Sequence, residues 1–270
     1  MQTTVPVLTY HSMRNGPDYS DNDHVALAED LDLIESLGLR IIALDELVDH
    51  LLEDRLDNCR GCVCLSFDDG VEMDWRDLEH PTRGLRRGMA EILMAFARRT
   101  GREAVPATSF VIASPEARRR LDRTCMKGRG WWGDDWWPRA REKGLAIGNH
   151  SWDHNHDTLT EFTPGCGTPG SFNGLDDYPA CDLQVRRAAD YIDGRLGDRR
   201  CSLFAYPYGE YSNYLAYTYL PRYKHEHRQR AAFTTAGEPV HAGCNRWLLP
   251  RFVCGQHWRS PGELEGILRA

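Results

Sequence analysis

The chain has 270 residues, a formal net charge of −7 and 41% hydrophobic content. That acidic balance argues against the broad basic surface needed to bind nucleic acid or an anionic membrane, and no stretch approaches the ~20 apolar residues of a spanning helix. Without a linker, a low-complexity block or an internal repeat, residues 1–270 read as one domain long enough to bury a sizeable core.

In chain order, Leu27 to Leu37 carries apolar residues at helical spacing and stops at Gly38. Ile41 to Leu44 is a short strand candidate, and Asp45 is a plausible N-cap for a helix from Glu46 to Leu52. Cys62 to Phe67 is an apolar run that reads as a buried strand, and it ends in Asp68-Asp69-Gly70. The arginines of 83–87 and 118–120 read as solvated helix faces. Trp131-Trp132-Gly133-Asp134-Asp135-Trp136-Trp137 holds four aromatic faces. A helix from Trp136 to Lys143 accounts for the second pair as packing, whereas Trp131 and Trp132 are candidates for a sugar platform. Leu145 to Gly148 is another short strand, followed by His150-Ser151-Trp152-Asp153-His154, and Thr158 to Pro179 reads as a long loop beside that motif. Strands alternating with helices predict an α/β fold with a mainly parallel sheet.

Two of these segments carry chemistry. Neighbouring side chains of an extended segment point to opposite sides, so Asp68 and Asp69 at a strand tip can take different tasks, one binding a metal and the other a proton. His150 and His154, four apart, share one face of a helical turn and can reach one ion. Each motif alone has a plain reading, an ordinary turn for the first and two unrelated surface or capping histidines for the second. Both close strand-like runs in one chain, which favours a divalent-metal site with open positions for water. His156 is expected outside the ligand set.

These residues resemble the polysaccharide deacetylases of the NodB-homology type, carbohydrate esterase family 4. The family's (T/S)FDDG motif is Ser66 to Gly70, and its H(S/T)xxxH motif is His150 to His154. Its ATFFV strand is similar to Ala107 to Ile112, and its R-x-P-Y-G motif corresponds to Ala205-Tyr206-Pro207-Tyr208-Gly209, with Ala205 where the family has Arg. A subgroup similar to the poly-N-acetylglucosamine deacetylases shares that change, has a permuted strand order and begins with an extra strand ending in Tyr-His, here Val5 to His11. Leu248 to Val253 resembles the strand that closes the barrel in that subgroup, so the similarity runs from Pro6 to about Val253.

The resemblance implies an irregular (β/α)-type barrel of about seven strands. It implies Asp69, His150 and His154 as metal ligands, Asp68 as general base and His11 as general acid, with His257 the alternative acid. The backbone N–H of Tyr208 would serve the oxyanion, and Arg251 would orient Asp68 in place of the missing Arg. Mixed N/O ligands suit Zn2+ first, with Co2+ or Ni2+ as alternatives. The implied reaction is removal of N-acetyl groups from a GlcNAc-containing glycan. O-acetyl ester or non-sugar amide hydrolysis, and a non-catalytic glycan-binding relative, stay open. Nine cysteines fit reduced thiols. With no leader-like start, the chain as given reads as cytoplasmic, and as extracytoplasmic if a leader has been removed.

Overall fold

Short buried strands alternating with helices make up the computed structural model, which describes residues 2–81, 84–159, 166–197 and 201–270. The strands of the main sheet are β1 (Val7–Tyr10), β2 (Arg40–Ile41), β3 (Cys62–Phe67), β4 (Ala107–Val111), β5 (Leu145–Asn149), β6 (Leu203–Ala205), β7 (Ala231–Phe233) and β8 (Phe252–Val253). Seven of them form a parallel sheet in the order β7-β6-β5-β4-β3-β1-β8, and β2 pairs with the start of β3. The first strand therefore lies between β3 and the last one, as the permuted order implied.

One segment joins the two ends of this sheet. Leu249 donates its N–H to the Ala232 carbonyl at 2.9 Å and accepts from the Thr234 N–H at 2.8 Å, while Phe252 and Val253 pair with Leu8 and Thr9. The segment that carries Arg251 thus closes an irregular (β/α)7 barrel. Alternation along the strands separates two apolar layers. Val7, Cys62, Cys64, Phe110, Leu203, Ala205, Ala231, Phe233 and Leu249 pack in one cluster, and Leu8, Tyr10, Val63, Leu65, Phe67 and Leu145 pack in another with the helices. Gly148 is required by the first layer, because a Cβ there would lie 2.5 Å from the Phe110 ring.

Helix α1 (Asp23–Ser36) starts four residues before the expected Leu27, capped by the Asn22 side chain, which accepts from the His24 and Val25 N–H groups. Apolar periodicity missed this turn because Asp23 and His24 are buried polar residues. Helix α2 (Leu44–Leu52) begins at Leu44, so Asp45 lies in its first turn and is not the cap. Leu44 is buried and belongs to the core, which ends the strand early at Ile41. Helices α3 (Met89–Thr100) and α4 (Pro115–Cys125) follow β3 and β4, and Trp137–Lys143 is a 3-10 segment stopped by Gly144. Arg118 departs from the solvated-face reading: it is buried, bonds Asp134 at 2.6 Å and lies over the Trp137 ring. Arg83 lies outside the described residues. All nine cysteines are free thiols.

Asp30 ties α1 to the barrel and to the C-terminal segment. Its carboxyl is buried and accepts from Tyr10 Oη at 2.9 Å, Tyr19 Oη at 2.5 Å and Trp258 Nε1 at 3.2 Å. Burial outweighs these donors and pushes the group from 3.8 up to about 7. The folded chain then keeps a proton that the unfolded chain releases, so this contribution is full below the unfolded value and is lost as pH rises towards 7. We expect Asp30→Asn to lose its share of that slope, up to a few kcal/mol, in urea unfolding measured at intervals between pH 4 and 8.

Candidate metal centre

The inner face of β3 continues through Cys62, Cys64 and Ser66 to Asp68, which is 3% exposed. The fully buried Arg251 meets it as a fork, with Nη1 donating to Oδ1 at 2.7 Å and Nη2 to Oδ2 at 2.8 Å. The guanidinium also donates to Ser66 Oγ at 3.3 Å and, through Nε, to the Thr234 carbonyl at 3.2 Å. Burial alone would raise the Asp68 carboxyl. The Arg251 charge, then His150 and the Arg251 hydrogen bonds, reverse this and hold it well below the ordinary carboxylate range.

Asp69 does not extend the strand. Its φ of +78° is left-handed, so the carboxylate leaves the sheet through a turn and not through strand alternation. Gly70 follows at φ +71°, where a Cβ would also stand 2.6 Å from the Val111 side chain.

The two histidines are likewise not on a helical turn. After β5 the chain makes an irregular loop, with Ser151, His154 and Asn155 at φ +73°, +64° and +42°. Side chains hold it: Asn149 Oδ1 accepts from the Ser151 N–H at 2.8 Å, and Ser151 Oγ accepts from the His154 N–H at 2.9 Å. These local bonds replace helical ones. The rings still converge, with centroids 4.9 Å apart.

One ligand atom from each of Asp69, His150 and His154 lies within 4.8 Å of the others. Asp69 Oδ1 is 3.8 Å from His150 Nε2 and 3.7 Å from His154 Nε2. His150 Nδ1 is 2.9 Å from the Ala205 carbonyl, which fixes the proton there and leaves the Nε2 lone pair for the site. Ala205 stands where the resembled family has Arg, and its main-chain carbonyl orients the His150 ring. Burial, then the neighbouring His150 and His156, pushes His154 well below the ordinary histidine range, so its ring is neutral. Its buried Nδ1 has no hydrogen-bond partner among the described residues. Two imidazoles and one carboxylate fit a divalent ion of the Zn2+ type. His156 stays outside this group and contacts Thr158 and Asp157.

His11, Asp68, Tyr208, Thr235 and Gln256 line one cleft with Asp69, His150 and His154. The turn holding His11 is anchored from behind by two buried carboxylates that sequence reading missed. Asp23 accepts the His11 N–H at 2.7 Å, while Asp74 accepts Ser12 Oγ at 2.5 Å and Ser109 Oγ at 2.6 Å. Burial raises both groups, Asp74 to about 7. Neither sits in a motif, so only their burial identifies them. Tyr208 has φ +60°, and its ring packs against His154 at 4.4 Å.

Two expectations are corrected. His257 does not line the cleft, since its Nδ1 accepts from the Val253 N–H at 2.7 Å and the ring packs on Phe252 and against Gly237. Trp131 and Trp132 form no open sugar platform, because both are buried, 9% and 5% exposed, in a cluster with Val71, Met73 and Leu159. The loop expected over 158–179 is irregular from Cys166 to the helix start at Tyr178, and 160–165 lie outside the described residues.

The family model for polysaccharide deacetylase matches residues 55–220, which include both metal motifs and the Pro207-Tyr208-Gly209 turn. The chain belongs to the polysaccharide deacetylase family. It is thus a carbohydrate deacetylase of the NodB-homology, carbohydrate esterase family 4 type, acting on a glycan. No curated protein matches it in sequence. Among solved structures, Streptococcus pyogenes deacetylase PplD in complex with acetate is similar with a TM-score of 0.67 and 17% identity, covering 99% of each chain. IcaB from Ammonifex degensii gives a TM-score of 0.63 and 19% identity over 99% of this chain and 98% of that one. A de-N-acetylase from Aggregatibacter actinomycetemcomitans gives 0.63 and 14% over 98% and 99%. At these identities the likeness establishes the fold. Among the described residues no helix is long and apolar enough to cross a membrane.

Removing Arg251 from this polysaccharide deacetylase would strand a buried carboxylate. Arg251→Met should cost about 3–5 kcal/mol of folding free energy. Urea unfolding at pH 7 measures it, and Asp68→Asn in the same background should recover part of the loss.

Proposed function

We propose that this deacetylase removes N-acetyl groups from a GlcNAc-containing glycan by metal-assisted hydrolysis. The observation that carries the reading is a carboxylate kept ionised by a buried Arg fork, Asp68, beside the converging Asp69, His150 and His154. A divalent ion held by those three residues would polarise the acetyl carbonyl and acidify a water. Asp68, with its lone pairs oriented by Arg251, takes the proton of the attacking water. The backbone N–H of Tyr208, in the left-handed turn at the cleft, donates to the tetrahedral oxyanion. His11 gives a proton to the departing amine, without which an amide does not cleave readily. Its main chain is held by Asp23, which keeps the ring at the cleft. One neighbour of the same fold is a de-N-acetylase, which favours an amide over an ester as substrate.

The first test is acetate release from chitin oligomers, β-1,6-linked GlcNAc oligomers and acetylated xylan, using protein loaded in turn with Zn2+, Co2+ and Ni2+ beside a chelated control. Metal-dependent acetate from a GlcNAc series supports the proposal, whereas release from xylan alone would move the assignment to O-acetyl esters. Asp68→Asn should lower turnover by about 10²–10⁴-fold with metal content unchanged, as read by atomic absorption. His11→Gln should lose amide hydrolysis yet keep most of the hydrolysis of 4-nitrophenyl acetate, whose leaving group needs no proton.

A further inference from the structure

The tryptophan cluster is not used by the proposed chemistry, and one of its members touches the site from behind. The indole Nε1 of Trp132 donates to the main-chain carbonyl of Asp69 at 2.9 Å. The next two tryptophans in the sequence behave differently: among the described residues, Nε1 of Trp136 and of Trp137 are buried with no hydrogen-bond partner. The carbonyl that Trp132 holds belongs to a residue at φ +78°, a left-handed conformation uncommon outside glycine that the bond to its peptide helps to hold.

The indole is itself anchored. Asp122 of α4 accepts the N–H groups of Gly130 and Trp131 at 2.9 Å each, and Arg118 of the same helix donates Nη1 to the Trp132 carbonyl at 3.0 Å. On the other side the Glu72 N–H, three residues past Asp69, donates to the Trp131 carbonyl at 2.8 Å. Residues 130–132 therefore form a strap between α4 and the turn that follows β3. The turn is gripped at both Asp69 and Glu72.

Resting on the reading of Asp69, His150 and His154 as metal ligands, we infer that Trp132 is a positioning residue that sets metal affinity by fixing the Asp69 peptide. It touches neither metal nor substrate and acts through the main chain of the ligand. Partners of this kind that orient a ligand typically account for about 10–100-fold in metal affinity.

The test is Zn2+ affinity, measured by competition with a chromophoric chelator on wild type and Trp132→Phe, which keeps an aromatic ring and removes the N–H. We expect binding weakened about 10–100-fold, a changed Co2+ ligand-field spectrum, and a thermal midpoint of the metal-free protein close to wild type. Equal Zn2+ affinity and equal Co2+ spectra in the two proteins would overturn the inference. Wild type that binds no metal would instead overturn the site assignment beneath it, and this arm needs no substrate. Should Trp132→Phe fail to fold, Asp122→Asn loosens the strap from the α4 side. It is then expected to weaken Zn2+ binding in the same direction, and unchanged affinity there would count against the strap.

Discussion

The organisation of this protein depends on one buried ion pair, the fork between Arg251 and Asp68. Two charges withdrawn from water are tolerated only when geometry and further hydrogen bonds compensate their desolvation. Here both carboxylate oxygens are bonded, and the remaining reach of the guanidinium goes to Ser66 Oγ and the Thr234 carbonyl. The pair also joins distant parts of the chain, since Asp68 directly follows an interior strand of the sheet and Arg251 lies on the segment that closes it. Closure of the barrel therefore supplies the counter-charge that keeps the buried base candidate ionised.

Around that pair the backbone is unusually strained. Among the described residues, five of the eight non-glycine residues with positive φ, namely Asp69, Ser151, His154, Asn155 and Tyr208, belong to the site or its adjoining loop. Such conformations persist where side chains over-determine them. Ser151 caps the His154 N–H. The Asn155 amide reaches the carbonyls of Cys166, Thr168 and Ser171, and Gln184 bonds Asp153. Trp132 does the corresponding work for Asp69. The candidate ligands are thus held by bonds to their own and neighbouring main chain, a rigidity that would suit a three-ligand site.

Buried carboxyls form a second system behind the cleft. Asp30 and Asp74 each bind donors from two or more elements, Asp23 accepts the His11 N–H and pairs with Arg14, and burial raises all three. They connect β1, which delivers His11, to α1, to β4 through Ser109 and to the C-terminal segment through Trp258. A polar network of this kind rigidifies only when satisfied, and its members have little tolerance for partial substitution.

What the sequence determined by itself was the residue set of the candidate site and the order of elements. Asp68, Asp69, His150 and His154 stand at the ends of apolar runs, and strand-end placement is legible because burial shows as hydrophobicity and termination as glycine. Arg251 was nameable only through resemblance, since its partner lies 183 residues away. The tertiary structure decided how the ligands are presented: through left-handed turns instead of a strand tip and a helical face. It also sent four tryptophans inward and placed Asp23 and Asp74 behind His11. These outcomes depend on which donor lies across space from which acceptor, and spacing along the chain carries no record of that.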